Sequence, residues 1–296
     1  MNIVVFGAGS LGTLLGGLLA RKHQVTLVGR DPHMASIQEN GLRIAGEIEC
    51  HTTPEAVTNG ASLEADLACV TVKSYDTAEA ARTLATGEFE SALSLQNGMG
   101  NEAALRAELD CPVLAGTVSY GALLSKPGRV ECTGLGEVVL GDPDGGESRH
   151  ANAVGEAFAA AGLETTVASD MPERLWEKCA INAGINPLTA LAGIENGAVL
   201  DSPAWPIASE AARETARTAR ENGIELTDET ALAALRRIAQ ATEKNTSSMA
   251  RDVEQGRRTE IDAINGFVVR QANRPIPANA LLVGLIKTWK RSNGLR

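Results

Sequence analysis

The stretch NIVVFGAGSLG, residues 2–12, decides the fold of the first half of the chain. Residues 2–6 form an apolar run that is too short for a helix and predicts a buried strand. The glycines that follow have the spacing of a dinucleotide-binding turn, which needs a tight bend, close approach of a pyrophosphate and close packing of helix on strand. A glycine turn without a ligand is the alternative. The predicted cofactor-binding residues of this turn are Gly7, Ala8, Gly9, Ser10, Leu11 and Gly12.

Strands and helices continue to alternate through the first half of the sequence. LLGGLLA has helical spacing after the turn, and further apolar runs lie at 24–28, 65–72, 91–96 and 111–120, with shorter ones between 128 and 141 and a last one at 164–168. Near-continuous apolar strands that alternate with helices are typical of a parallel sheet covered on both faces. The pattern therefore predicts an N-terminal α/β Rossmann-type dinucleotide-binding domain over residues 1–168.

The second half of the chain has helical patterns and no convincing strand. In SDMPERLW, residues 169–176, Asp170 is a candidate N-cap, with Pro172 in the first turn and Glu173 three positions after the cap. Further helices are predicted at 203–222, 228–243, 247–255, 259–273 and 278–290. We therefore predict an all-α C-terminal substrate and catalytic domain over residues 169–296.

Composition excludes several classes of function. The chain has 296 residues, enough for two domains, and its net charge of −10 does not favour nucleic-acid binding. No run approaches the length of a membrane span, and the start MNIVVFGAGS lacks the features of a signal peptide, so we expect a cytoplasmic protein. The five cysteines form no CxxC pair, and we interpret them as reduced core residues. No metal site is predicted.

Residues that end three predicted strands indicate the cofactor. Where NAD enzymes usually carry an acid, the strand VTLVG is followed by Arg30, whose guanidinium can pair with a 2′-phosphate and so favours NADP. Asp31 is the next residue, and a solvated Arg-Asp turn is the alternative. Lys73 and Asn97 end the next two strands and are candidate cofactor or substrate contacts, although a strand-end lysine and a plain Asn-Gly turn explain them nearly as well.

Reduction of a carbonyl by hydride requires a proton donor at the oxygen, and the sequence narrows the choice. All four histidines lie in the nucleotide half, and neither tyrosine is followed four residues later by a lysine. Lys178 remains, and Asn182 and Asn186 share its helix face at intervals of four residues. A charge and two amides on one face suit a small polyoxygenated substrate, because a core would not tolerate them unpaired. The alternative is a structural lysine that extends to solvent beside two amides.

The segments LWEKCAINAGINPLTAL and NTSSMARDVEQGRRTEIDAINGF, together with GAGSLG and LQNGMG, resemble the ketopantoate reductase family over essentially the whole chain. The resemblance implies NADPH-dependent reduction of 2-dehydropantoate to (R)-pantoate in pantothenate and coenzyme A biosynthesis. It also implies that Lys178 is the proton donor and that Glu260 is a catalytic acid near the lysine and the cofactor. The implied NADP contacts are Arg30, Lys73, Asn97, Ala122 and Glu260, and the implied substrate-binding residues are Lys178, Asn182, Asn186, Asn196, Asn245, Ser248, Met249, Ala250 and Arg251.

The residues themselves leave alternatives open. Asn245, Ser248 and Asp252 fit one helical stripe, in which Ser248 could equally be an N-cap. Thr259 and Asp262 fit a capping box, in which Glu260 only favours a helix dipole. Two other functions compete with the first: a reductase of another branched 2-oxo acid, and a non-catalytic NADP-sensing protein. A homodimer is compatible with the sequence.

Overall fold

The computed structural model describes residues 1–295. Two compact units are present, of which the first comprises Met1–Gln96 and Asn101–Met171, and the second comprises Asn97–Gly100 and the residues from Pro172 onward. The fold class predicted from the sequence is confirmed, because the first unit is an α/β unit with a mainly parallel sheet and the second is helical. Domain limits of 1–168 and 169–296 stay a prediction.

The first unit contains twelve strands and five α-helices. The strands are β1 Asn2–Phe6, β2 Gln24–Val28, β3 Leu42–Gly46, β4 Cys50–Thr52, β5 Glu55–Val57, β6 Glu64–Val70, β7 Glu88–Ser94, β8 Val113–Val118, β9 Gly121–Lys126, β10 Arg129–Gly134, β11 Val138–Gly141 and β12 Thr165–Val167. The helices are α1 Ser10–Leu19, α2 His33–Asn40, α3 Thr77–Leu84, α4 Asn101–Arg106 and α5 Arg149–Ala160, and a 3-10 turn spans Ser74–Asp76.

Eight strands form the main sheet in the order β12-β11-β8-β7-β6-β1-β2-β5. Its neighbouring strands are parallel, except that β11 pairs antiparallel with β8. The inner strand β1 is buried through Ile3, Val4 and Val5, each at most 2% exposed, because helices cover both faces of a parallel sheet. This burial explains why the apolar runs at 2–6 and 24–28 predict the strands correctly to the residue.

A second sheet of four strands, in the order β4-β3-β10-β9, was not predicted from the sequence. Only the part of it near 128–134 was expected to be strand, and β3, β4 and β9 were missed. These strands are short, at three to six residues, and exposed residues interrupt their apolar pattern. The parallel pairing of β10 with β3 also joins segments that are far apart in the sequence, so no local signal reports it.

The second unit consists of helices and turns. Its helices are α6 Met171–Ala192, α7 Trp205–Glu221, α8 Asp228–Ala241, α9 Ser248–Glu254, α10 Asn265–Gln271 and α11 Pro277–Ser292, and a 3-10 turn spans Gly197–Val199. The helix α6 begins directly after Asp170, as predicted from SDMPERLW. The helix predicted at 259–273 is wrong in its first part, because residues 260–264 form turns and α10 begins only at Asn265.

A buried polar network holds α6, α7, α10 and α11 together. Pro187 lies inside α6 and has no N–H, so the carbonyl of Ala183 loses its helical donor. The Asn265 side chain donates to that carbonyl at 3.1 Å and to the Asn279 side chain at 3.0 Å. Asn279 in turn donates to the Glu214 carboxylate at 2.8 Å. An unpaired buried carbonyl is costly, so this network is what allows a proline in the middle of α6.

Within residues 1–295, no helix has the length and apolar character that would be needed to cross a membrane. The same residues contain no group of three metal-ligating side chains that could hold an ion. Each of the five cysteines is a free thiol.

Candidate active site

The glycine turn between β1 and α1 has the close packing that its sequence predicts. Gly7 has a φ of +115°, and a Cβ there would lie 2.6 Å from the backbone nitrogen of Val72. A Cβ at Gly12 would overlap the Thr71 hydroxyl and the Gly7 carbonyl. Side chains are therefore excluded at both positions. Beside Gly9, by contrast, the nearest atom to a Cβ would be 3.9 Å away, so a ligand can approach the backbone there.

The start of α1 can receive an anion. Its N-cap is Gly9, which has no side chain, so no side chain caps the helix. The hydroxyl of Ser10, the first helical residue, accepts a hydrogen bond from the amide of Leu124 at 3.0 Å. The first amides of a helix have no partner within the helix, and they carry the positive end of its dipole. Ala8 is buried and Leu11 is half-buried in the same turn. The turn therefore fits the pyrophosphate of a dinucleotide.

Of the other predicted cofactor residues in the first unit, two follow the ends of strands and one lies within a strand. Arg30 lies two residues after β2 and is exposed, as is its neighbour Asp31. Lys73 lies three residues after β6. Because β6, β1 and β2 are adjacent and parallel, Arg30, Lys73 and the glycine turn lie at the same carboxyl edge of the sheet, where ligands bind in such folds. Ala122 is half-buried in β9, on the smaller sheet.

The turn of LQNGMG belongs to the second unit. Gly98 and Gly100 have φ values of +85° and +87°, and the Met99 amide donates to the Ala263 carbonyl at 2.8 Å. A Cβ at Gly98 would lie 2.6 Å from the Cβ of Ala263. The turn that carries Asn97 is therefore fixed against residues 260–264, which also carry Glu260.

One face of α6 carries the polar residues that the sequence analysis selected. Lys178 and Asn182 are half-buried, and Asn186 is 6% exposed. Burial lowers the pKa of Lys178 from its ordinary 10.5 to about 8, and the carboxylate of Glu260 opposes this shift by favouring the charged form. A half-buried lysine with a lowered pKa is not typical of a side chain that extends to solvent. It is a cation that can give up its proton near neutral pH.

Glu260 lies in a turn and not in a helix. Its side chain is buried, at 5% exposed, and its backbone carbonyl accepts hydrogen bonds from the amides of Ala263 at 3.0 Å and Ile264 at 3.2 Å. The capping box predicted at Thr259 is therefore wrong. The hydroxyl of Thr259 is buried and has no hydrogen-bond partner within the described residues, so it caps nothing. A buried carboxylate near Lys178 is better explained by the charge of that lysine than by a helix dipole.

Asn196 and Asn245 are brought together by their backbones. The Asn196 amide donates to the Asn245 carbonyl at 3.0 Å, and the Asn196 side chain donates to the Thr242 hydroxyl at 3.0 Å. The side-chain oxygen of Asn196 is buried and unpaired within residues 1–295, so it has a free acceptor. Asn245 is exposed and precedes α9, so the predicted helical stripe of Asn245, Ser248 and Asp252 is wrong.

The start of α9 separates two adjacent serines. Ser247 is the N-cap: its hydroxyl accepts from the Ala250 amide at 3.0 Å and from the Thr189 hydroxyl at 2.7 Å. The alternative in which Ser248 caps the helix is therefore wrong. Ser248 is the first helical residue and is exposed, whereas the side chains of Met249 and Ala250 are buried in the apolar core and Arg251 is half-buried.

Two structural features that support the candidate site were missed by the sequence analysis. Asn265 secures α6 at Ala183, between the two amides of the polar face, and Thr189 ties the last turns of α6 to the cap of α9. A proline inside a predicted helix was the available signal for the first, because it implies an external donor for the freed carbonyl. No sequence signal pairs Thr189 with Ser247.

Comparison with known proteins identifies the family of this chain. The family model ketopantoate reductase PanE/ApbA matches residues 3–145, and ketopantoate reductase PanE/ApbA C terminal matches residues 170–290. A 2-dehydropantoate 2-reductase from Halobacterium salinarum is 37% identical over 98% of this chain and 99% of its own length. This chain belongs to the ketopantoate reductase family. The resemblance inferred from the sequence is thereby confirmed.

Solved structures extend the comparison to the fold of the ketopantoate reductase family. The crystal structure of a PanE/ApbA family ketopantoate reductase from Ralstonia eutropha is 32% identical, with a TM-score of 0.92 over 99% of this chain and 100% of that one. A ternary structure of D-mandelate dehydrogenase with NADH and anilino(oxo)acetate has the same TM-score over the full length of both chains. At 22% identity, the second likeness concerns the fold alone.

Proposed function

We propose that this chain is an NADPH-dependent oxidoreductase that reduces 2-dehydropantoate to (R)-pantoate, a step of pantothenate and coenzyme A biosynthesis. The observation that carries the proposal is the half-buried Lys178, whose pKa is lowered by burial, near the buried carboxylate of Glu260, in a chain that matches the ketopantoate reductase family over residues 3–145 and 170–290. A sensor of NADP would need the glycine turn but would have no use for a proton donor with a lowered pKa.

The residues of the first unit fit NADPH. The uncapped start of α1 and the open side of Gly9 suit the pyrophosphate, and the exposed guanidinium of Arg30 suits a 2′-phosphate. Lys73 and Ala122 are further proposed cofactor contacts of the first unit, and Asn97 and Glu260 are those of the second unit. When bound, NADPH supplies the hydride that is added to the carbonyl carbon of the oxo acid.

Lys178 supplies what the carbonyl oxygen needs. As the ammonium it donates a hydrogen bond to that oxygen, polarises the C=O bond and transfers a proton when the alcohol forms. Its neutral amine regains a proton from water, so that one oxo acid, one NADPH and one proton give one hydroxy acid and one NADP⁺. Burial lowers its pKa to about 8, which brings proton release closer to neutral pH, and the charge of Glu260 favours the ammonium before the reaction.

Amides of the second unit suit the rest of the substrate. Asn182 and Asn186 extend the polar face of α6, and Asn196 has an unpaired buried acceptor that can receive a hydroxyl. The exposed hydroxyl of Ser248 suits the carboxylate. A homodimer and a cytoplasmic location stay predictions from the sequence.

An assay of NADPH oxidation with a panel of 2-oxo acids tests the proposal. The sharpest pair is 2-dehydropantoate and 3,3-dimethyl-2-oxobutanoate, which differ only in the terminal hydroxyl. A site with buried amides for that hydroxyl should prefer 2-dehydropantoate by about 100-fold or more in kcat/KM, because the analogue leaves those amides unpaired. Equal rates with both acids would indicate that the substrate is a different branched 2-oxo acid. No turnover with any oxo acid would support the alternative in which the chain is a non-catalytic NADP-sensing protein.

A further inference from the structure

Four basic residues form one row across the small sheet of the first unit. In the hydrogen-bonded register, His51 of β4 is opposite Arg43 of β3, Arg43 is opposite Arg129 of β10, and Arg129 is opposite Lys126 of β9. Each strand thus contributes one basic residue at the same level. Adjacent strands lie about 4.8 Å apart, so the row is roughly 14 Å long.

The row lies on the outer face of the sheet. The neighbours of Arg43 and Arg129 along their strands, Leu42, Ile44 and Val130, are at most 1% exposed and belong to the core. Because side chains alternate between the two faces of a strand, the basic residues point away from that core. Arg43, His51 and Lys126 are exposed, and Arg129 is half-buried.

This arrangement is electrostatically unfavourable without a ligand. Like charges directly opposite one another destabilise a sheet. Within residues 1–295, Arg43 and Lys126 form no ion pair, and Arg129 approaches only Glu131, at 3.9 Å, which is too long for a hydrogen bond. The Nε of Arg129 is buried and has no hydrogen-bond partner among those residues. Protection of sheet edges explains a basic residue on β4 and on β9, but it does not explain arginines on the two inner strands.

The same four residues line a surface cavity of about 370 Å³. Ser36 and Asn40 of α2 add polar groups to its wall, and no carboxylate lines it. None of its lining residues belongs to the glycine turn or to the other proposed cofactor contacts. It is therefore a second concave site of the first unit with the donors that phosphate oxygens prefer.

We propose that this cavity binds a small molecule that carries two phosphate groups, of the diphosphate or bisphosphate class. One phosphate is too small to reach cations spread over three adjacent strands, whereas two phosphates engage the central arginines and the flanking Lys126. The His51 ring, whose Nε2 is hydrogen-bonded to the Asn40 carbonyl at 2.9 Å, forms the other end of the row. A nucleic acid is a poorer occupant, because the chain has a net charge of −10 and the basic row is short.

Residue-resolved NMR of isotope-labelled protein, titrated with inorganic diphosphate, tests this site. The backbone amides of Arg43 and Gly128 report on the cavity itself and so separate it from the glycine turn. We expect both to shift with one dissociation constant. That constant should increase about tenfold or more in Arg43→Gln and in Arg129→Gln, because each loses a charge-assisted contact. Arg82→Gln, which makes the same charge change at an exposed site on α3, should leave it within about twofold.

Thermal unfolding supplies an independent readout. Without ligand, Arg43→Gln should raise the Tm at low salt, because it removes repulsion within the row. Addition of diphosphate should raise the Tm of the wild-type protein by more than it raises the Tm of the variant. Absence of any shift at Arg43 and Gly128 would overturn the proposal, and so would equal affinity for inorganic phosphate at matched ionic strength. If Arg43→Gln fails to fold, the same NMR titration and thermal unfolding are carried out with Lys126→Gln, which replaces an exposed residue of the row.

Discussion

The glycine turn of the first unit acts through backbone atoms, whereas the polar face of α6 in the second unit acts through side chains. At Gly7 and Gly12 of the turn, any side chain would overlap neighbouring atoms, so only glycine fits. The face of α6 acts through side chains on a regular helix, and its effect depends on burial and on groups that are distant in the sequence. Backbone sites therefore tolerate few residues but need little support, whereas side-chain sites need a network around them.

Loss of the Lys178 ammonium should give the largest effect in either region. Lys178→Ala should lower kcat by about 10²–10⁴-fold, the usual contribution of a general acid, with the affinity for NADPH nearly unchanged. Lys178→Arg should be almost as damaging, because a guanidinium keeps the charge but hardly releases a proton. Steady-state kinetics with saturating oxo acid measure both.

The exposed Lys22→Ala is the matched control and should retain full activity. Near-normal kcat in either Lys178 variant would mean that the proton comes from elsewhere. Glu260 or a bound water would then be the next candidate.

The rate and the stability should respond to pH in opposite directions. Burial lowers the pKa of folded Lys178 to about 8, against 10.5 in an unfolded chain, so kcat for reduction should fall by about tenfold per pH unit above that value. Between these two pKa values the unfolded chain binds the extra proton, so the contribution of Lys178 to the free energy of unfolding rises with pH. Below about pH 8 the cost of the buried charge is fully present.

Kinetics and thermal unfolding across this pH range, for the wild-type protein and for Lys178→Met, measure the two trends. The difference in Tm between the two proteins should shrink toward the upper pKa. If kcat stays constant above pH 8, the rate does not depend on the protonation of Lys178, and the proposed role of this residue as proton donor is wrong.

On the cofactor side, Arg30 should set the preference for NADPH. Loss of one charge-assisted phosphate contact costs about 1.5–3 kcal/mol, so Arg30→Ala should raise the KM for NADPH about tenfold or more and barely affect NADH. The exposed Arg82→Ala is the control for a lost surface arginine. Equal losses with both cofactors would show that Arg30 does not contact the 2′-phosphate.

Removal of Asn265 should test whether the polar face needs its network. Asn265→Ala leaves the Ala183 carbonyl without a donor and breaks the contact with Asn279, which should lower the free energy of unfolding by about 1–3 kcal/mol. Chemical denaturation measures this loss. A second substitution, Pro187→Ala, restores the helical N–H and should recover part of the stability if the unpaired carbonyl is the cause. No recovery would place the loss at Asn279 instead.

The sequence predicted most where the structural reason is local. The strands β1 and β2, the turn between β1 and α1, and the spacing of Lys178, Asn182 and Asn186 all follow from short patterns. The small sheet could not be predicted, because β10 pairs with β3 across a long stretch of chain. Thr259 and Ser248 show a third limit: a capping pattern can be present where the helix begins elsewhere, and the neighbouring packing decides which residue caps.

The smallest effects should come from substitution of the two serines at the start of α9. Comparison of these two variants separates a structural role from a role in substrate binding. Ser247 is buried and caps the helix, so Ser247→Ala should lower stability by about 1 kcal/mol through the lost cap and the lost Thr189 contact. Ser248 is exposed and caps nothing, so Ser248→Ala should keep the Tm and raise the KM for the oxo acid by about 2- to 13-fold, which corresponds to the loss of about 0.5–1.5 kcal/mol of one hydrogen bond. Thermal unfolding and steady-state kinetics on both variants separate the roles. If Ser248→Ala changes the Tm and not the KM, the substrate carboxylate lies elsewhere and the adjacent serines share a structural role.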